Sequence, residues 1–116
     1  MKLIKSLIVA SAISSLAVTG SLAGDDLVKK GEKIFMTKKL GNCIACHDIN
    51  GKKLDGPGSM GPKLQYLSAW PEEALFDKVY NPYTTNPISQ MPAFGKTGWL
   101  SNDEIKAVVA FLKTIN

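Results

Sequence analysis

Apolar positions recur along the chain in three separated stretches, each predicting a helix. Leu27, Val28, Gly31, Ile34 and Phe35 fall at spacings of three and four, behind Asp25 and Asp26, which suit a helix start. Gly31 costs helix stability relative to alanine, so either another helix crosses closely there or the glycine is simply tolerated. Trp70-Pro71-Glu72-Glu73 predicts a second start, with proline in the first turn and two carboxylates at the positive end of the dipole. Ala74, Leu75, Phe76 and Val79 give that helix its apolar face, and Asn81-Pro82 ends it. The third signal is the sharpest. Ser101-Asn102-Asp103-Glu104 is a capping box, and Leu100 and Ile105 occupy the two positions of a hydrophobic staple. Ile105, Val108, Val109, Leu112 and Ile115 then mark one face of a helix running to the end of the sequence. No stretch alternates with period two, so the fold class is all-α.

Between these helices the chain is punctuated rather than periodic. Gly41, Gly51, Gly56, Gly58 and Gly61, with Pro57 and Pro62, make the segment from Gly41 to Gly61 a loop, apart from one turn of helix. From Asn81 to Trp99, Pro82, Pro87, Pro92, Gly95 and Gly98 rule out a long element. A connection of that length in a small domain is usually functional or disordered, and this one contains Met91-Pro92.

The first residues change the account of size and charge. Lys2 and Lys5 precede an apolar stretch from Leu7 to Val18 diluted by serines, and Ser21-Leu22-Ala23 has small residues at its outer positions. Residues 1–23 are therefore expected to be a cleaved secretory signal, with export to the periplasm. An uncleaved anchor is the alternative, although the run is short and serine-rich for a membrane span. Residues 24–116 form one small domain, which would carry twelve lysines, ten acidic residues and no arginine. The lysines are scattered, which argues against nucleic-acid binding; they form either a solvated surface or a ring that steers acidic redox partners.

The chemistry lies in the loops. Cys43-Ile44-Ala45-Cys46-His47 is a Cys-x-x-Cys-His pattern, in which two thiols can add to both vinyl groups of a haem while the histidine reaches its iron. A bare Cys-x-x-Cys would be a disulfide or a redox pair, but the adjoining histidine and the lack of a βαβ pattern count against that. One covalent haem c would use both cysteines and complete a core that so small a domain cannot fill alone. His47 is the only histidine, so bis-histidine ligation within the chain is excluded. The second axial ligand is Met36, Met60, Met91, a lysine or nothing. Met36 belongs to the first helix pattern, and Met60 is too near the attachment segment to cross to the opposite face. Met91 fits best, 44 residues beyond His47 and stiffened by Pro92, although it could also merely pack. Gly61-Pro62 could present a carbonyl to the second ring nitrogen of His47, or be a turn with no such contact. Phe35, Trp70, Phe94, Trp99 and Phe111 are the candidate pocket or core aromatics.

In this order, haem motif, Gly-Pro-x-Leu, Met-Pro loop and capped C-terminal helix, the chain resembles class I cytochromes c over nearly the whole of residues 24–116. The resemblance implies that small fold, with about four helices and long loops around one haem. Gly41-Asn42 before the haem motif, Gly61 to Leu64, Asn86-Pro87 and Met91-Pro92-Ala93-Phe94-Gly95 resemble more narrowly the SoxX family, monohaem subunits of SoxAX cytochromes. That family more often has proline at the position of Ala93 and threonine at that of Ser89. The resemblance implies covalent attachment through Cys43 and Cys46, axial ligation by His47 and Met91, and electron transfer within a thiosulfate-oxidising complex. It further implies a SoxA-like partner that carries the bond-forming chemistry, a SoxYZ carrier, and a soluble cytochrome c as electron acceptor. Two alternatives stand beside it: a free-standing periplasmic monohaem shuttle, and a gas sensor or peroxidase-like protein in which the iron stays open.

Overall fold

The computed structural model describes residues 24–116. The expected signal segment, residues 1–23, lies outside the described residues. Among the described residues, three α-helices and three single 3-10 turns account for the regular structure, and the sole β-type pairing is an isolated parallel bridge between Ile49 and Leu64. The fold is all-α, as the patterning requires, and no helix among the described residues is long and apolar enough to cross a membrane.

Helix α1 spans residues 24–36 and buries Gly31, Ile34 and Phe35 on one side. Its end is closed by Thr37, whose hydroxyl donates to the Lys33 carbonyl at 2.6 Å, and by the Gly41 amide on the Ile34 carbonyl at 3.0 Å. Helix α2, Glu72–Tyr80, has Pro71 at its N-cap, one position earlier than the sequence suggests, with Glu72 and Glu73 in the first turn. Leu75 and Val79 are its buried face. It stops where expected: Asn81 is extended at φ −154°, and Pro82 cannot continue the ladder.

Helix α3, Asn102–Leu112, begins with the complete capping box. Ser101 Oγ accepts from the Glu104 amide at 3.1 Å, and the Ser101 amide donates to Glu104 Oε1 at 2.9 Å. Leu100 and Ile105 are both buried, as a staple requires. The helix is shorter than its apolar pattern: it ends at Leu112, and Ile115 reaches the core from a following turn closed by its amide on the Leu112 carbonyl at 3.0 Å.

Helix α3 is the central element. It packs against α2, and α1 crosses it so closely that a Cβ on Gly31 would overlap the Ala107 carbonyl. Of the two sequence readings of Gly31, close crossing is the correct one. Phe35 and Phe111 meet edge to face beside the crossing, centroids 5.5 Å apart. At the far end of α3, the Lys113 ammonium donates to the carbonyls of Ser68 and Trp70 at 2.8 and 2.5 Å, and the Ser68 amide donates to the Ile115 carbonyl. These bonds fix the 3-10 turn Leu67–Ala69, and with it one wall of the central cavity.

Candidate functional site

The Cys-x-x-Cys-His segment is folded by local rules. Asn42 takes the left-handed conformation, φ 49° and ψ 38°, which asparagine tolerates better than most residues. Gly41 leaves room for the Cys43 sulfur and for Ile34, which would press on a Cβ there. The chain then enters the 3-10 turn Cys43–Ala45, and the amides of Cys46 and His47 both close on the Cys43 carbonyl, at 3.1 and 2.9 Å. That tight winding brings Cys43, Cys46 and His47 to the wall of one cavity.

The glycine-rich loop returns alongside this segment and is pinned to it by backbone bonds. Gly58 donates to the Ile44 carbonyl at 2.9 Å and Gly61 to the Cys46 carbonyl at 2.8 Å. Leu64 donates to Asp48, and Asn50 to Leu64, both at 2.8 Å. This approach delivers the Pro62 carbonyl to His47, with Nδ1 to oxygen 2.8 Å. A carbonyl can only accept, so Nδ1 carries the proton and Nε2 keeps its lone pair for a metal. Gly61 makes the approach possible, because a Cβ there would overlap the imidazole.

The cavity measures about 760 Å³, within the roughly 300–1,000 Å³ range of sites that enclose cofactors. Its floor is apolar: Leu67, Leu75, Val79, Val108 and Leu112 from the helices, with Phe35 and Phe94. Met91 lines it too. So do Trp70 and Trp99, which are 45% and 54% exposed. Two indoles and Met60 left this open to water alongside an apolar floor make the kind of surface that a large flat apolar group would cover. One imidazole with its tautomer fixed, two free thiols and a thioether facing that cavity fit a covalently attached haem.

Burial pushes the Cys43 thiol up to about 12, chiefly by desolvating the thiolate, with the neighbouring Cys46 adding to the rise.

Of the residues singled out from the sequence, Cys43, Cys46, His47, Met91, Phe35, Trp70, Phe94 and Trp99 line this cavity. Phe111 does not; it belongs to the core beneath α1. Met36 packs against the core, and Met60, 72% exposed, lines the cavity beside Gly61, on the loop that serves His47. Sequence reasoning missed the service of Gly58, which leaves space for the Ala45 carbonyl, and of Gly95, which leaves space for the Tyr80 ring. Their only signal was a glycine where no turn type demanded one.

Comparison with known proteins gives three findings. The family model described as cytochrome c oxidase, cbb3-type, subunit III matches residues 26–112. An uncharacterized lipoprotein of Aquifex aeolicus (strain VF5) is 31% identical over 108 residues, 80% of this chain; the chain spans about half the length of that relative, 51%. Among solved structures, a chain in the crystal structure of SoxXA from P. pantotrophus superposes with a TM-score of 0.66 at 32% identity, covering 74% of this chain and 79% of that one.

Proposed function

The chain belongs to the family of c-type cytochrome domains described as cytochrome c oxidase, cbb3-type, subunit III, and from that membership we propose a specific working arrangement for its haem. The protein is a small SoxX-like monohaem cytochrome that carries a covalently bound c-type haem and transfers electrons. In the proposed arrangement Cys43 and Cys46 form the thioethers, His47 and Met91 are the axial ligands, and the protein is exported. It would serve as the electron-transfer subunit beside a SoxA-like protein in thiosulfate oxidation, handing electrons from a reaction on a SoxYZ-type carrier to a soluble cytochrome c.

The observation that carries this reading is His47, its Nδ1 proton committed to Pro62, facing a cavity that Cys43, Cys46 and Met91 also line. The bound haem supplies a one-electron iron couple. The chain's own residues set the conditions for it. The Nδ1–H to carbonyl bond raises the basicity of the imidazole and fixes its plane. A Met91 thioether on the iron would favour the ferrous state and would keep substrates from the metal, which would suit electron transfer over oxygen chemistry. The apolar floor excludes water and so limits the reorganisation that accompanies a change of charge.

Two measurements test this. In the ferric protein the weak red charge-transfer band of thioether-ligated iron should be present and should vanish in Met91→Ala; its absence from the wild type would support the open-iron alternative. Purification from the native periplasm should bring down a SoxA-like haem protein in constant ratio. Recovery of the chain alone would point to the free-standing shuttle.

A further inference from the structure

We propose that Tyr80 and Gly95 form a clasp that holds the Met91 loop against the haem cavity, making Tyr80 a positioning residue for the second axial ligand. The inference rests on the reading of Met91 as that ligand.

The loop is unevenly anchored. On the upstream side of Met91 the bonds run within the loop itself: the Ser89 amide donates to the Asn86 carbonyl at 3.0 Å, and the Met91 amide to Ser89 Oγ at 3.2 Å. The residues there are open to water, Ile88 most of all. On the downstream side the loop meets the end of α2. The Tyr80 carbonyl accepts from both the Gly95 and the Lys96 amides, each at 3.1 Å. The Tyr80 ring stacks with Phe76 at 5.9 Å and 16°, and lies against Gly95, where a Cβ would overlap it.

Gly95 does not have a positive φ, so left-handed freedom is not why glycine stands there. The missing side chain is needed for space. Ala93 and Phe94, between Met91 and the clasp, are buried at 3% and 5% exposure, and Ala93's carbonyl takes both the amide and the hydroxyl of Thr97. A rigid strap therefore runs from Met91 to Tyr80, and releasing its far end frees the methionine.

Imidazole provides the probe, because it binds ferric haem where the thioether does, and its apparent affinity scales with the fraction of molecules in which that position is open. In the ferric holoprotein, Gly95→Ala should bind imidazole about tenfold more tightly than the wild type, and Tyr80→Leu should shift in the same direction. The double variant should bind no more tightly than Tyr80→Leu alone, because the ring that the new methyl strikes is gone. Amide hydrogen exchange at Gly95 and Lys96 should accelerate in parallel, while Ile105 and Val108 in α3 keep their protection.

An affinity for Gly95→Ala within about twofold of the wild type overturns the proposal, as does exchange in α3 rising as much as at the clasp. Should Gly95→Ala fail to fold, the affinity and exchange of Tyr80→Leu decide by the same criteria. A wild type that already binds imidazole as tightly as Met91→Ala overturns the ligand reading and the clasp with it. A wild type that binds more weakly than Met91→Ala, yet is indifferent to Gly95→Ala, overturns the clasp alone.

Discussion

At the scale of single residues the site depends on side chains that are absent. Gly61 has the His47 ring where its Cβ would be. Gly61→Ala must move either the imidazole or the loop that delivers the Pro62 carbonyl, and overpacking of this kind costs about 1–3 kcal/mol. Gly56→Ala is the control: its φ of +64° strains an alanine by about 1–2 kcal/mol, but it has nothing within 4 Å. Both variants should lower the guanidinium midpoint, whereas only Gly61→Ala should alter the electron paramagnetic resonance of the ferric haem, which reads imidazole orientation. Equal spectra for the two would refute the role given to Gly61. The sequence made His47 and the Pro62 carbonyl legible together, because a ligating imidazole needs an acceptor and a proline-stiffened turn offers one. It did not make Gly58, Gly61 and Gly95 legible as contacts, since glycine in a loop is read first as a turn residue and its neighbour in space lies 13 to 15 positions away.

At the scale of elements, what was legible is what is local. The capping box, the staple and the Asn81-Pro82 stop each involve residues within a few positions of one another, and each is found as expected. The crossing of α1 over α3 is not local, and Gly31 alone left two readings open. Its energetics now decide between opposing effects. Gly31→Ala gains about 1 kcal/mol of helix propensity, but the new methyl meets backbone, the Ala107 carbonyl, which cannot swing aside as a side chain can. Overpacking wins, and the variant should lose roughly 4–8 °C in its thermal midpoint. A midpoint at or above that of the wild type would mean that the two helices separate without cost.

At the scale of the whole molecule, the cavity that would take the haem is floored by side chains of the core. Without a bound haem, the apolar floor that α2 and α3 share would face water rather than a cofactor. A Cys43→Ala, Cys46→Ala double variant, prepared without attached haem, should therefore lack a cooperative thermal transition and near-ultraviolet dichroism. A sharp transition in that variant would show that the helices close on one another without the cofactor.

The pinning of residues 58–64 onto residues 44–50 also bears on the order of assembly. Cys43, His47 and Pro62 lie within one short span of sequence, so bringing them together closes a small loop at little entropic cost. Met91 and the clasp at Tyr80 depend on α2 and the segment leading into α3 being in place first. By loop length alone, the attachment face costs less chain entropy to close than the Met91 face, which waits on α2 and α3.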